Sequence, residues 1–77
     1  MKHNVCCPIC EAYYSHKNPR THHHVLPKRF FMGAGETIEL CRQCHNELEK
    51  LIPAHIQLEI PEYRKIVQVF IKNKRGQ

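Results

Sequence analysis

The clearest hydrophobic periodicity lies in the last quarter of the chain. Pro61 suits the first position of a helix, because its fixed φ angle is already helical. Apolar residues then recur at i, i+3, i+4, i+7 and i+8, the spacing of one helix face: Tyr63, Ile66, Val67, Phe70 and Ile71. The pattern predicts an amphipathic helix over about residues 61–72 whose apolar face completes a small core, although a role of that face in a homodimer stays open. The basic tail over residues 72–77 is expected to fray.

Three shorter patterns precede this helix. Residues 25–26 are apolar and are followed by Pro27, which predicts a brief strand. Residues 37–40 alternate polar and apolar side chains and include β-branched residues, which predicts a second strand. Three apolar side chains on one stripe predict a helix over residues 43–52. The order strand, strand, helix predicts a small α+β fold with a ββα core over about residues 22–52.

Length and composition indicate that this core needs a further source of stability. The chain has 77 residues, of which 42% are hydrophobic and none is Trp. A single domain over residues 1–77 buries only roughly 60% of its unfolded surface, so a metal, disulfides or a partner should stabilise it. Five Cys and seven His favour a metal. Neither a membrane span of ~20 apolar residues nor a signal peptide is evident, so we expect a cytoplasmic protein with reduced thiols.

The cysteines form two pairs, and each pair has the spacing of a zinc knuckle. Two residues separate Cys7 from Cys10, and two separate Cys41 from Cys44. The two pairs supply the four thiolates that Zn2+ prefers, and a site with four thiolates leaves no open position for substrate. The spacing therefore predicts a structural zinc, which makes a thiol-redox function the weaker hypothesis. Cys6 is left over, as a bystander or as a neighbour of the zinc site.

Three motifs follow one another along the chain: Cys7-Pro8-Ile9-Cys10, His23-His24-Val25-Leu26-Pro27 and Leu40-Cys41-Arg42-Gln43-Cys44-His45. In this order they closely resemble the zinc-containing HNH endonucleases of the ββα-metal superfold. The resemblance covers roughly residues 5–53. It implies a zinc-stabilised ββα-metal unit with an additional C-terminal helix, and a metal-dependent DNA endonuclease or nickase that hydrolyses phosphodiester bonds.

The resemblance implies a role for each histidine of these motifs. His24 would be the general base, and its neighbour His23 would bind a divalent ion. His45, directly after the second cysteine pair, would be the other ligand. Glu49 follows one helical turn after His45 and is either a further ligand or a solvated side chain. Phosphodiester hydrolysis needs a base of near-neutral pKa and a cation on the phosphate, and imidazoles suit both tasks.

One position departs from the family's pattern. The family's middle Asn, nine residues before the last ligand, corresponds here to Glu36, so a hydrogen-bond donor is replaced by a carboxylate that only accepts. Thr37 is the candidate to position the loop of the base instead. This departure favours the alternative function, a non-catalytic zinc module that binds nucleic acid.

The histidine run also conflicts with regular strand geometry. On a regular strand His22 and His24 share one face and His23 points to the other. The resemblance needs His23 and His24 together, so we expect the strand to begin irregularly. His22 is kept as the alternate ligand.

The balance of charge favours a polyanionic partner. Twelve Lys and Arg residues against seven Asp and Glu give a formal charge of +5. Lys28, Arg29 and Arg42 lie beside the motifs and are candidates to contact DNA phosphates. No segment has the pattern of a base-reading helix, so DNA binding should be largely independent of sequence. Imidazole ligands at His23 and His45 favour Mn2+, Co2+ or Ni2+ over Mg2+ as the catalytic ion.

Overall fold

The computed structural model describes residues 5–76, and its elements form a small α+β fold, as the hydrophobic pattern predicts. Gln77, the end of the basic tail, lies outside the described residues. No helix within the described range is long and apolar enough to cross a membrane. The elements are, in chain order, β1 (Arg20–His24), α1 (Lys28–Phe31), β2 (Thr37–Cys41), α2 (Arg42–Glu49) and α3 (Ile60–Lys74).

The sheet consists of β1 and β2, which pair antiparallel with His23 opposite Ile38. The strand predicted at residues 37–40 is confirmed. The brief strand predicted at residues 25–26 is wrong, because the strand lies earlier, over the polar residues 20–24. The apolar side chains at 25–26 are buried in the core instead. Residues 20–24 form a strand because they pair with β2, since the side chains of β1 show no apolar alternation that would predict one.

The connection between the strands contains the four-residue helix α1, which the hydrophobic pattern does not predict. It begins after Pro27, whose carbonyl accepts a hydrogen bond from the N–H of Phe31. It ends at Met32, which has a left-handed backbone with φ of 56°. Gly35 follows with φ of +91°, and a Cβ there would lie 2.8 Å from Cδ1 of Leu26. Backbone angle and packing therefore both require glycine at this position.

Helix α2 begins directly after β2, and the sulfur of Cys41 caps it by accepting a hydrogen bond from the N–H of Cys44. The helix ends at Glu49, three residues before the end predicted at Ile52. One side of it is buried and carries three side chains: Cys44, His45 and Leu48. Cys44, the second cysteine of this pair, therefore lies in the same short helix as His45, the candidate ion ligand that follows it.

Helix α3 confirms the amphipathic helix predicted for about residues 61–72 and extends beyond both ends of it. Glu59 and Glu62 form a capping box at its start. Its buried side chains, Tyr63, Val67 and Phe70, join the core cluster that also contains Leu40, Leu48 and the cysteines. The hydroxyl of Tyr63 accepts a hydrogen bond of 2.8 Å from the N–H of Leu58, so its polar end is satisfied inside the core.

The first half of the basic tail is not frayed as expected, because α3 continues through residues 72–74. Lys74 belongs to the helix, and its Nζ lies 2.7 Å from a carboxylate oxygen of Glu47 on α2. Arg75 donates a hydrogen bond of 2.9 Å to the carbonyl of Pro8, between Cys7 and Cys10. The basic end of α3 thus ties this helix both to α2 and to the N-terminal knuckle.

Candidate metal centres and active site

Four cysteine side chains from the two knuckles meet in one cluster. The sulfurs of Cys7 and Cys44 are 3.9 Å apart, and those of Cys10 and Cys41 are 3.8 Å apart. Four tetrahedral Zn–S bonds of about 2.3 Å place their sulfurs about 3.8 Å from one another. The cluster can therefore hold a metal ion such as zinc. Cys6 is buried but is not part of this cluster.

The surroundings of the cluster favour a thiolate at Cys41 but oppose thiolates at Cys10 and Cys44 unless a cation is shared among them. Backbone N–H groups of Ile9 and Cys41 each donate to the sulfur of Cys7 at 3.4 Å. Burial raises the pKa of the Cys44 and Cys10 thiols. Burial also acts to raise the pKa of Cys41, but hydrogen bonds, first from the N–H of Cys44, lower it to about 7. A bound dication removes the repulsion that ionising all four thiols creates.

A second group of candidate ligands lies where β1 and α2 meet. It comprises His23, His45 and Glu49, whose ligand atoms all lie within 4.8 Å of one another. His45 follows Cys44 in the chain, so the cysteine cluster holds the turn from which His45 projects. Glu49 comes one helical turn later, with a carboxylate oxygen 3.0 Å from Nε2 of His45. The His23 ring meets the His45 ring edge to face, with centroids 5.3 Å apart.

Both imidazoles of this group are neutral at neutral pH. His23 is only 5% exposed, and burial, followed by the neighbouring His45, lowers its pKa to about 4. Burial also lowers the pKa of His45, although the nearby Glu49 opposes the shift. Nε2 of His23 is buried and has no hydrogen-bond partner among residues 5–76. A neutral imidazole with an unpartnered nitrogen is the form that binds a metal ion, so the group fits a divalent cation.

A cavity of about 400 Å³ opens over this group. All three residues of the histidine run line it, together with Lys28 and Arg29. β1 pairs without interruption from residue 20 to 24, so the predicted irregular start is wrong. His24 is the last residue of the strand, and its Nδ1 is buried without a hydrogen-bond partner in the described part of the chain. The cavity thus brings together a candidate base, candidate ion ligands and two cations.

Arg42, the third candidate for phosphate contact, does not line this cavity. Its Nε donates a hydrogen bond of 3.1 Å to Oδ1 of Asn46, one turn along α2. It lines a separate surface depression with Lys17 and Lys50. The three basic side chains that lie near the motifs in the sequence are therefore divided between two surfaces in the structure.

Glu36 and Thr37 lie outside the cavity as well. The Glu36 carboxylate accepts hydrogen bonds of 3.1 and 3.3 Å from Arg64 on α3, which lower its pKa. Its backbone carbonyl accepts from the N–H of Val25, directly after the candidate base. Thr37 is exposed and pairs with His24 in the sheet. The side chain of Glu36 therefore turns towards α3, whereas its backbone carbonyl contacts the segment that directly follows His24.

The sequence did not indicate two residues that contact the candidate residues, Thr21 and Arg64. Thr21 contacts His45 through its hydroxyl, at 2.8 Å from Nδ1. Its position two residues before His23 could have indicated that Thr21 lies beside the candidate ligands, since alternate residues of a strand share a face. Arg64, the partner of Glu36, had no local signal, because 28 positions separate the two.

No protein-family model matches the chain, and no curated protein or solved structure shows significant similarity to it. The function is therefore argued from the chemistry of the two candidate metal centres and the cavity.

Proposed function

We propose that the chain is a metal-dependent HNH-type DNA endonuclease or nickase built on a zinc-braced ββα-metal unit. The observation that carries the proposal is the shared cavity, in which His24 accompanies the group of His23, His45 and Glu49. The order β1, β2, α2 along the chain supports the ββα-metal assignment. The resemblance of the three sequence motifs to this family supports the same function.

Each group in the cavity has a role in the proposed hydrolysis. His24 takes the proton from a water molecule, whose oxygen bonds to phosphorus while the bond to the leaving sugar oxygen breaks. His23, His45 and Glu49 would hold a divalent ion, which binds the scissile phosphate and stabilises the negative charge on the leaving oxygen. Burial keeps His23 neutral and therefore free to ligate.

The proposed partner is DNA, gripped mainly through its phosphates. Lys28 and Arg29 line the cavity itself, and the depression formed by Lys17, Arg42 and Lys50 offers a second set of positive charges. Such contacts are salt-dependent and carry little sequence information, so the proposed enzyme cuts with little sequence preference. It would work in the cytoplasm, where its thiols stay reduced. A homodimer would pair two active sites and convert nicks into double-strand breaks.

The two centres would hold different ions. We assign the four-cysteine cluster to a structural zinc, since a saturated four-thiolate site has no position for substrate. The histidine group would bind the catalytic ion. Its two imidazoles and one carboxylate suit Mn2+, Co2+ or Ni2+ better than Mg2+, which prefers oxygen ligands and retains its waters.

A plasmid-nicking assay tests the proposal. Zinc-loaded protein is incubated with supercoiled plasmid and each divalent ion, and the initial rate of nicking is measured. His24→Ala should lower the rate by about 10²–10⁴-fold while zinc content and DNA binding are retained, because only the base is removed. His16→Ala is the matched control, since this exposed histidine lies away from the cavity, and its rate should equal that of the unaltered protein. Undiminished nicking by His24→Ala would contradict the mechanism.

A non-catalytic zinc module that binds nucleic acid is the second candidate. The observation that favours it is the Glu36–Arg64 ion pair, which stands where the HNH family has an Asn that holds the loop of the base. In this case the protein would bind DNA, yet no divalent ion would produce nicks. The metal panel of the same assay separates the two functions.

A further inference from the structure

The hydroxyl of Thr21 joins strand β2 to the ring of His45. Oγ1 of Thr21 lies 2.9 Å from the carbonyl oxygen of Leu40 and 2.8 Å from Nδ1 of His45. Thr21 and His23 are two residues apart on β1 and so present their side chains on the same face. His45 is therefore contacted by two side chains of β1, one through Nδ1 and the other through the edge-to-face ring contact.

The hydrogen bonds around Thr21 favour hydrogen on Nδ1 of His45, in competition with the carboxylate of Glu49, which lies 3.0 Å from Nε2 and can only accept. A threonine hydroxyl has a single proton to donate. The carbonyl oxygen of Leu40 can only accept, so the hydroxyl proton of Thr21 points to it. Oγ1 of Thr21 then acts as an acceptor towards His45. Both contacts are satisfied together only when Nδ1 of His45 carries a hydrogen.

This proton placement decides what Nε2 of His45 can do. In a neutral imidazole only one nitrogen carries hydrogen, so Nε2 keeps its lone pair when Nδ1 is protonated. Nε2 is the atom that faces the carboxylate of Glu49 at 3.0 Å. The opposite tautomer would donate its Nε2–H to the carboxylate of Glu49 and accept at Nδ1 from the hydroxyl of Thr21, which would then no longer donate to Leu40. That tautomer places an N–H in the candidate ion site, so Nε2 can bind an ion only when Nδ1 carries the hydrogen.

We propose that Thr21 is a positioning residue that holds His45 in the tautomer with hydrogen on Nδ1 and so aims the Nε2 lone pair at the divalent-ion site. This inference rests on the proposed function, because it assigns His45 to the ion of that site. Partners at the second nitrogen of a ligating histidine typically change metal affinity by about 10–100-fold. Val would suit the strand equally well, so the hydroxyl of Thr21 serves its contacts with Leu40 and His45.

The test compares Thr21→Val, which has the same shape without a hydroxyl, with Thr21→Ser, which keeps the hydroxyl. Two-dimensional ¹H–¹⁵N multiple-bond NMR of zinc-loaded protein at about pH 8, well above the ordinary histidine pKa of ~6.5, reports the tautomer of His45. The unaltered protein and Thr21→Ser should show hydrogen on Nδ1. Thr21→Val should shift population to the tautomer with hydrogen on Nε2. Calorimetric titration with Mn2+ should show an affinity about 10–100-fold lower for Thr21→Val only.

The outcomes separate this inference from the proposed function. Hydrogen on Nε2 in the unaltered protein would overturn the inference, whatever the variants do. Unchanged tautomer and Mn2+ affinity in Thr21→Val would also overturn it, even if the protein nicks DNA. A tautomer shift in Thr21→Val, reversed in Thr21→Ser, would support the inference on its own evidence. If that shift occurs in a protein that neither binds Mn2+ nor nicks plasmid, the proposed function fails while the positioning of His45 by Thr21 stands.

Discussion

The buried imidazole of His23 makes the stability of the fold depend on pH. Its pKa is lowered from 6.5 to about 4, so between these values the unfolded chain binds more protons than the folded chain. The stabilisation is complete above about pH 6.5 and is lost as the pH falls towards 4, for a total on the order of 3 kcal/mol. A buried neutral histidine thus gives a metal-binding site and an acid-sensitive fold together.

Urea unfolding measures this dependence. Between pH 8 and pH 5.5 the unaltered zinc-loaded protein should lose about 1 kcal/mol more unfolding free energy than His23→Gln, whose side chain does not titrate. The comparison with the variant removes the contribution of thiol protonation, which both proteins share. Equal pH dependence in the two proteins would show that His23 is not held neutral by burial.

The identity of residue 23 should also set the preference for the catalytic ion. His23→Asp replaces an imidazole nitrogen with a carboxylate oxygen in a group that already contains Glu49. Because Mg2+ prefers oxygen ligands, the ratio of nicking rates with Mg2+ and Mn2+ should rise in this variant. The measurement is the initial nicking rate across a panel of ions for both proteins. Highest activity with Mg2+ in the unaltered protein would mean that His23 is not a ligand.

At the scale of elements, the turn between α1 and β2 positions the histidine strand against its partner. Gly33 and Gly35 both have positive φ, of +88° and +91°. A Cβ at Gly33 would meet nothing within 4 Å, whereas one at Gly35 would press on the buried Leu26. The two positions therefore share the backbone strain and differ in packing.

Alanine substitutions separate these two effects. Gly33→Ala should lower the free energy of unfolding by about 1–2 kcal/mol through backbone strain alone. Gly35→Ala should lower it by about 1 kcal/mol or more beyond that, because Leu26 must move from its packed position. Thermal or urea unfolding of the two variants gives the comparison. Equal destabilisation would indicate that Leu26 accommodates the methyl group without loss.

The composition of β1 shows why this strand was not predicted at residues 20–24. Its five residues are polar, with three consecutive histidines, so periodicity gives no indication of a strand. The apolar pair at residues 25–26 looked more strand-like but fills the core. The strand forms at residues 20–24 because the backbone of β2 satisfies its hydrogen bonds and because α2 covers the face that carries His23.

At the scale of the whole molecule, the four-cysteine cluster joins the N-terminal knuckle to the start of α2. A structural zinc in such a small module is worth ~10–16 kcal/mol, which is comparable with or greater than the whole stability of a domain. Removal of zinc by a strong chelator should therefore unfold the chain, with loss of the helical circular-dichroism signal. Full helicity in a sample verified to be free of metal would refute the zinc assignment.

Single cysteine variants provide the matched comparison. Cys41→Ser removes one sulfur of the cluster and should mimic chelation. Cys6→Ala removes a buried thiol outside the cluster, so the protein should keep one equivalent of zinc and most of its stability. Zinc content and circular dichroism are the readouts. Loss of zinc from the Cys6 variant would show that the wrong thiol had been assigned.

Features that rest on local spacing can be predicted from the sequence alone. The cysteine pairs, the strand at residues 37–40 and the amphipathic α3 follow from two-residue separations or from strand and helix periods, which operate within one element. The same is true of the placement of Glu49 beside His45, one helical turn away. Such patterns are readable because neighbouring residues in a regular element have fixed relative positions.

Packing of the folded chain sets the contacts between elements. It placed the polar segment 20–24 in the sheet, joined Thr21 to His45 across 24 positions, and turned Glu36 towards Arg64 across 28. It also ordered the basic end of α3 against the N-terminal knuckle. These contacts depend on how strands and helices pack, and the free energy of that packing comes from the whole core rather than from the residues that make each contact.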